Sequence, residues 1–118
     1  MATKKMNNEL FKEKVFNYDK KSEWEFQGDK PAVIDFYADW CSPCKMIAPI
    51  LEQLSDDYKD KIDIYKVDTE QEQELSAVFG IRSIPTLVFA PMKGKPIIQA
   101  GAMDRRALVE LIERIMKP

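Results

Sequence analysis

The chain has 118 residues and a mass of 13.7 kDa, which is enough for one domain with its own hydrophobic core. Hydrophobic residues make up 45% and charged residues 32%, and the formal net charge is −2, so the composition does not favour nucleic acid or an anionic membrane as a partner. The sequence contains no histidine, which removes the commonest metal ligand and the commonest general base at neutral pH.

The N-terminal part of the chain is predicted to form a helix followed by an ordered connection. Asn7 or Asn8 can cap the helix, and its apolar residues recur at helical spacing: Leu10, Phe11 and Val15. Residues 17–31 are polar and rich in turn formers, with Trp24 and Phe26 as apolar anchors. We therefore expect an ordered connection here, not a boundary between domains.

A buried strand and a long amphipathic helix are predicted on either side of the two cysteines. Residues 31–38, PAVIDFYA, form a continuous apolar run of strand length, which is typical of a strand covered on both faces. After the cysteines, apolar residues at spacings of three and four indicate one face of a helix that ends near Tyr58: Ile47, Ile50, Leu51 and Leu54.

The middle of the chain predicts a second strand and a second connecting helix. In residues 61–68, alternate side chains fall on opposite faces of a strand, with Ile62, Ile64 and Lys66 on one and Tyr65 and Val67 on the other. Residues 69–80 predict a helix that begins with a capping box of Thr69 and Glu72 and ends at Gly80.

The last third predicts a hairpin and a final helix. Residues 85–90 and 96–101 are short strands joined by a short link, which implies antiparallel pairing. Asp104 can cap a helix with an apolar face made of Leu108, Leu111, Ile112 and Ile115. The element order predicts one α/β domain over residues 1–118, with a central mixed sheet flanked by helices on both faces.

Cys41 and Cys44 are the only cysteines, and they stand three residues apart at the start of a predicted helix. They could be two inert buried thiols, a structural disulfide, part of a zinc site or a redox dithiol. A structural disulfide is disfavoured, because a bond between Cys41 and Cys44 closes so small a loop that it constrains the unfolded chain little. A zinc site within one chain is disfavoured because the sequence offers no histidine and no further cysteine as ligands, but a metal shared between two chains is a remaining alternative. A C-x-x-C pair beside a βαβ pattern favours the redox dithiol.

The expected geometry gives the two thiols different roles. Residues three apart on a helix share a face, so their sulfurs can bond with little backbone movement. Cys41 lies at the helix start, where Pro43 suits the first turn and where the unpaired N–H groups and the helix dipole stabilise a thiolate. Cys44 lies one turn deeper. We therefore expect Cys41 to be exposed and reactive, and Cys44 to be shielded and to act second.

Four segments resemble the thioredoxin family in order and spacing: DFYADWCSPCKMIAPI, YKVDTE, GIRSIPTLVF and AGA. The resemblance covers about residues 31–118, and the N-terminal helix fits it too. The chain departs from the usual pattern at Ser42, where most members have glycine, and at Tyr37, where a second tryptophan is common. The resemblance implies a thioredoxin fold and a protein that reduces disulfides in client proteins through Cys41 and Cys44, without another cofactor.

Asp35 and Lys66 are candidate catalytic residues. A carboxylate in the middle of an apolar strand should be buried, and burial raises its pKa; the alternative is a strand-end aspartate that faces water. The resemblance implies that Asp35 accepts and returns the proton of Cys44, and that Lys66 on the neighbouring strand is its charge partner. The alternative for Lys66 is a surface lysine with a partly buried stem.

The resemblance also implies a client-binding groove around Cys41. It predicts a cis bond between Ile84 and Pro85, and it places seven residues in the groove: Trp40, Ser42, Pro43, Ile84, Pro85, Gly101 and Ala102. Gly101 is expected there because glycine permits a close approach of two backbones. The alternative is that these are ordinary core and turn residues.

The expected partners follow from the same resemblance. They are disulfide-containing client proteins and a separate donor of the thioredoxin-reductase type, since the sequence has no flavin or nicotinamide motif. We expect a monomer in the cytoplasm; a periplasmic reductant or oxidant is the alternative if a signal segment was removed. Whether the protein is better described as an enzyme or as an electron carrier stays open. A second class of function is an interaction module or subunit in which the cysteine pair is incidental.

Overall fold

Within residues 3–118, which the computed structural model describes, five strands form one mixed sheet and four helices cover its two faces. In chain order the elements are β1 (Lys4–Lys5), α1 (Asn8–Lys14), β2 (Ala32–Tyr37), α2 (Ser42–Asp57), β3 (Asp63–Asp68), α3 (Gln73–Val78), β4 (Thr86–Ala90), β5 (Ile97–Ala100) and α4 (Arg105–Met116). This is the fold class predicted from the sequence, and the prediction is confirmed.

The strand order in the sheet is β1-β3-β2-β4-β5. β3 pairs in parallel with β1 and β2, whereas β4 is antiparallel to both β2 and β5, so the predicted antiparallel hairpin is present. β1 was not predicted, because its two exposed lysines, Lys4 and Lys5, carry no apolar pattern. The central position of β2 buries both of its faces, as its continuous apolar sequence indicated.

Each face of the sheet is covered by two helices. α1 and α3 cover one face, where buried helix and strand residues pack together: Phe11, Val15, Ile34, Phe36, Val67 and Leu75. α2 and α4 cover the other face with a second set: Val33, Ile47, Leu51, Leu54, Ile64, Leu87, Leu108 and Ile112. Asp35 lies on β2 between Ile34 and Phe36, so its side chain belongs to the face that α2 and α4 cover.

Local capping signals at two helices are confirmed. Asn7 is the N-cap of α1, and its Oδ1 accepts a hydrogen bond from the backbone N–H of Leu10 at 2.7 Å. Asp104 caps α4 in the same way, because its Oδ1 accepts from the N–H of Ala107 at 2.8 Å. Gly80 follows the end of α3 with φ +62°, which is the left-handed conformation that ends many helices.

The helix predicted over residues 69–80 is shorter than expected, and its predicted capping box does not form. α3 begins at Gln73, and Glu72, the residue before it, makes no side-chain cap bond to the helix. Thr69 instead donates twice to the carbonyl of Tyr37, from its N–H at 2.9 Å and from its hydroxyl at 3.0 Å. The turn after β3 is therefore attached to the end of β2, and the Thr69 hydroxyl is engaged there.

A residue of α1 caps α3 in place of the missing local cap. The Oδ1 atom of Asn8 accepts a hydrogen bond from the backbone N–H of Leu75 at 3.0 Å. In return, the backbone N–H of Asn8 donates to Oε1 of Glu72 at 3.2 Å. A reciprocal pair of hydrogen bonds therefore joins the N-terminal ends of α1 and α3. One of these bonds satisfies an N–H of the first turn of α3 that has no partner within the helix.

Candidate active site

Cys41 and Cys44 form a disulfide at the first turn of α2, with their Cα atoms 5.2 Å apart. This separation is within the ordinary range for disulfides. Cys41 is the N-cap residue of the helix, and its Sγ accepts a hydrogen bond from the backbone N–H of Cys44 at 3.2 Å. Ser42 and Pro43 occupy the first two helical positions, as predicted for Pro43. The positive end of the helix therefore faces the sulfur of Cys41.

The expected difference in exposure between the two cysteines is wrong for the disulfide form. Cys41 is 4% exposed and Cys44 is 3% exposed. Both pack in a small cluster with Ala38, and the partly buried side chains of Tyr37 and Ile84 lie against this cluster. Both cysteines pack against the same neighbours, so exposure does not distinguish them. They differ in their position on the helix, since Cys41 is the N-cap residue and Cys44 lies within the first turn.

Asp35 is buried, as its place in an apolar strand predicted. The residue is 1% exposed, and its Oδ1 has no hydrogen-bond partner among the residues that the structure describes. Burial raises the pKa of Asp35 from 3.8 to about 7, and the charge of Lys66 offsets part of this rise. A strand-end aspartate facing water is therefore excluded. The carboxyl group can gain or lose a proton near neutral pH.

A cavity of about 110 Å³ connects Asp35 with Cys44, and we call it the active-site cavity. Its other walls are Tyr37, Ala38, Asp39, Lys45, Ala48 and Lys66. Asp35 of β2 and Lys66 of β3 are direct partners in the parallel register. The cavity is large enough for water, so a proton can pass between the sulfur of Cys44 and the carboxyl group of Asp35 without a direct contact.

Lys66 also contacts the ring of Tyr37, which was not predicted as a site residue. Its Nζ lies 4.7 Å from the centroid of the Tyr37 ring, and both residues are half-buried. The sequence does contain a signal for this contact. Tyr37 stands two residues after Asp35 and therefore shares its strand face, and Lys66 is the residue expected opposite Asp35.

Part of the predicted client groove is assembled beside the disulfide. Ile84 packs against the cysteine cluster, and the peptide bond between Ile84 and Pro85 is cis. The carbonyl of Pro85 accepts a hydrogen bond from the N–H of Gly101 at 2.8 Å, and the exposed Ala102 follows. Gly101 has a φ of +93°, which favours glycine, and an added Cβ would meet no atom of the described chain within 4 Å, so the expected close approach of a client backbone stays a prediction.

The remaining groove residues are exposed. Ser42 and Pro43 are exposed at the first turn of α2. Trp40 is 68% exposed, and its indole N–H donates a hydrogen bond to Oε1 of Glu70 in the turn before α3. Glu70 was not predicted as a site residue, because no local pattern connects it with a tryptophan in a different loop.

The arrangement is suited to exchange of one disulfide for another. It combines two sulfurs at a helix N-terminus with a carboxyl group that can hold a proton near pH 7. Between residues 3 and 118 there is no group of three or more acidic or cysteine side chains arranged to hold a metal ion. Over the same residues, every helix is too short or too polar to cross a membrane.

Known proteins that are similar to this chain are thioredoxins. The family model described as Thioredoxin matches residues 2–114. A thioredoxin of Borreliella burgdorferi is 48% identical over 108 residues, which is 92% of each chain. The chloroplastic M-type thioredoxin of Spinacia oleracea is 34% identical over 81% of this chain and 53% of its own length. A crystal structure of chloroplastic thioredoxin z covers 98% of this chain and 95% of its own, with a TM-score of 0.81 at 22% identity, which supports the fold alone. The chain therefore belongs to the thioredoxin family and is a thiol–disulfide oxidoreductase that works through its own cysteine pair, without another cofactor.

Proposed function

We propose that the chain reduces disulfide bonds in other proteins, with Cys41 as the attacking residue and Cys44 as the resolving residue. One observation carries this assignment: the Sγ atom of Cys41 accepts a backbone N–H at the start of α2, whereas Cys44 lines the active-site cavity with Asp35. The helix N-terminus favours a negative charge on Cys41. The cavity gives Cys44 a nearby proton acceptor.

The first half of the reaction is attack on the client. The thiolate of Cys41 attacks one sulfur of a client disulfide, and a new bond forms between these two sulfurs. The client's own disulfide breaks, and its second sulfur leaves as a thiolate that takes up a proton from solvent. The product is a mixed disulfide between Cys41 and the client.

The second half releases the client. The carboxylate of Asp35 accepts the proton of the Cys44 thiol across the active-site cavity, and the Cys44 thiolate attacks the sulfur of Cys41. The disulfide between Cys41 and Cys44 forms as the bond to the client breaks, and the departing client thiolate is protonated. The client has gained two electrons, and the cysteine pair has lost them. A carboxyl pKa of about 7 supports this role, since both protonation states are populated near neutral pH.

We further propose that clients bind over the disulfide on the seven residues predicted for the groove: Trp40, Ser42, Pro43, Ile84, Pro85, Gly101 and Ala102. The exposed indole of Trp40 supplies apolar surface directly beside Cys41 in the chain. Ile84 supplies a second apolar side chain, because it already packs against the cysteine cluster. Glu70 would hold the indole in place through its hydrogen bond to Nε1.

Membership of the thioredoxin family implies disulfide-containing clients and an electron donor of the thioredoxin-reductase type. The finer proposals concern this chain. A separate protein reduces the bond between Cys41 and Cys44, and residues 1–118 act as a single domain and as a monomer. A reducing compartment such as the cytoplasm suits this direction of electron flow, because it keeps the working dithiol reduced between clients.

The experiment is insulin reduction in the presence of a small dithiol, followed as turbidity when the released chains precipitate. The wild-type protein should accelerate precipitation, and the double variant Cys41→Ser with Cys44→Ser should not. Equal turbidity with both proteins would reject the proposal in favour of an interaction module with an incidental cysteine pair. The reduction potential tests the direction of the reaction, since a value near −120 mV, the range of strong disulfide oxidants, would contradict a reductant.

A further inference from the structure

Lys66 and Tyr37 both line two cavities. The first is the active-site cavity, which contains Asp35. The second has a volume of about 220 Å³, and the carboxyl-bearing residues Asp68 and Glu72 are among its walls. Acidic residues therefore line both cavities, and the effect of the Lys66 ammonium group on Asp35 depends on which cavity the group occupies.

The Tyr37 ring is close enough to Lys66 to influence the position of its ammonium group. The Nζ atom of Lys66 is 4.7 Å from the ring centroid, within the range in which a cation is attracted to an aromatic face. Burial and the nearby carboxylates raise the pKa of the Tyr37 phenol, so the ring remains uncharged at neutral pH. The backbone of Tyr37 is fixed as well, because its carbonyl accepts both hydrogen bonds of Thr69.

We propose that Tyr37 is a positioning residue for Lys66: its ring holds the ammonium group beside Asp35 and away from the carboxylates of Asp68 and Glu72. The proposal deepens the function proposed above. It rests on that function only where the position of Lys66 affects how readily Asp35 accepts the proton of Cys44 during client release. The placement of Lys66 itself can be tested in the disulfide form, where no exchange takes place.

Several groups face Asp35 and must be separated from the effect of the ring. They are Tyr37 and Asp39 from the end of β2 and the turn after it, Lys66 from β3, the apolar Leu87 from β4, and Cys44 and Lys45 from α2. Among these, the charge of Lys66 lowers the pKa of Asp35. Removal of the Tyr37 ring would move this charge, but it could also admit water, which lowers the same pKa by relieving burial. A single substitution therefore cannot isolate the effect.

A double-mutant cycle isolates it. The titration of the Asp35 carboxyl carbon is followed by NMR in the oxidised protein, in which neither cysteine titrates. Lys66→Met is introduced with tyrosine, phenylalanine or leucine at position 37. Lys66→Met should raise the midpoint of the Asp35 titration, and this rise should be equal in the backgrounds with tyrosine and with phenylalanine at position 37. With leucine, the rise should shrink by about half or more, because a lysine without the ring spends less time beside Asp35.

An equal rise in the Tyr37→Leu background would overturn the proposal, as would a smaller rise in the Tyr37→Phe background, which keeps the ring. A second measurement needs no substitution. In the wild-type protein, the ε-methylene protons of Lys66 should resonate upfield of those of the exposed Lys59, because they lie over an aromatic ring. Equal chemical shifts would reject the proposal even if Tyr37→Leu failed to fold. Neither result bears on the cysteine roles, which the insulin assay tests separately.

Discussion

Asp35 and Lys66 are partners in the parallel register of β2 and β3, yet the lysine only partly offsets the burial of the carboxylate. The pKa of Asp35 stays near 7, and its Oδ1 has no hydrogen-bond partner within residues 3–118. An ionised carboxylate in this environment opposes folding at every pH above that value. Its presence at the centre of the sheet is therefore not explained by stability, whereas the proton transfer that we propose for it would explain it.

Asp35→Asn should therefore stabilise the protein in a pH-dependent manner. The carboxyl pKa is about 7 in the folded state and near 3.8 when unfolded, so the folded state binds more protons between these values and loses stability as the pH rises through them. The variant should raise the free energy of unfolding by up to roughly 4 kcal/mol at pH 8 and by little at pH 4. Urea unfolding at both pH values measures this. Asp60→Asn, at an exposed position outside the active-site cavity, is the control, and a gain of equal size at both pH values for Asp35→Asn would contradict the assignment.

The release of client should depend on the same group. The rate at which Cys44 resolves a mixed disulfide should rise as the pH increases through about 7, because Asp35 becomes the carboxylate that accepts the thiol proton. Asp35→Asn should slow this step by on the order of 100-fold. A preformed mixed disulfide between Cys41 and a chromophoric thiol, followed by stopped flow, provides the measurement. If wild type and variant showed the same rate across this pH range, Asp35 would have no part in the step.

In the reduced protein, Cys41 should be alkylated several-fold faster than Cys44 near neutral pH. The two residues are equally buried in the disulfide form, so the difference must come from the backbone N–H and helix dipole that stabilise a thiolate at Cys41. Brief treatment with iodoacetamide followed by peptide mapping gives the ratio directly. Faster labelling of Cys44 would exchange the two roles.

Cys44→Ser should trap clients as stable mixed disulfides with Cys41. A serine hydroxyl is far too weakly acidic to supply the attacking anion, so the reaction stops after its first half. Client adducts should be visible on non-reducing gels and should disappear when a reductant is added. Cys41→Ser is the matched control and should trap nothing. Adducts with Cys41→Ser alone would reverse the assignment, and adducts with neither variant would favour an interaction module.

The cap that α1 provides to α3 should contribute measurably to stability. Asn8→Ala removes the acceptor of the Leu75 N–H and should lower the free energy of unfolding by about 1–2 kcal/mol. The exposed Gln71→Ala, near the same turn, should change it by less than about 0.5 kcal/mol. Chemical denaturation measures both variants. Equal effects of the two would show that the Asn8 hydrogen bond adds no stability.

The features that were predicted correctly depend on local patterns. The apolar spacing in α2 identified its buried face, and Asn7 and Asp104 are cap residues for the turns that directly follow them. The buried carboxylate of Asp35 was also evident, because a charged residue interrupts a continuous apolar run. In each case the residues that interact, or the pattern that identifies them, lie within a few positions of one another.

The features that were missed depend on contacts between distant parts of the chain. The hydrogen bond from Trp40 to Glu70 and the contact of Lys66 with the Tyr37 ring form only after β2 and β3 have paired. Thr69 had a suitable spacing for a capping box, but tertiary structure offered its hydroxyl a different acceptor. The low exposure of Cys41 likewise follows from packing around the closed disulfide, which helix position alone does not predict.

The reciprocal bonds between Asn8 and the start of α3 also constrain the order in which the chain can fold during its synthesis. α3 has only six residues, so it is too short to persist as an isolated helix, and its cap comes from a residue 67 positions earlier. The segment that holds Asn8 leaves the ribosome long before Leu75 has been made. The pair of hydrogen bonds between Asn8 and the start of α3 therefore cannot form until more than half of the chain has emerged.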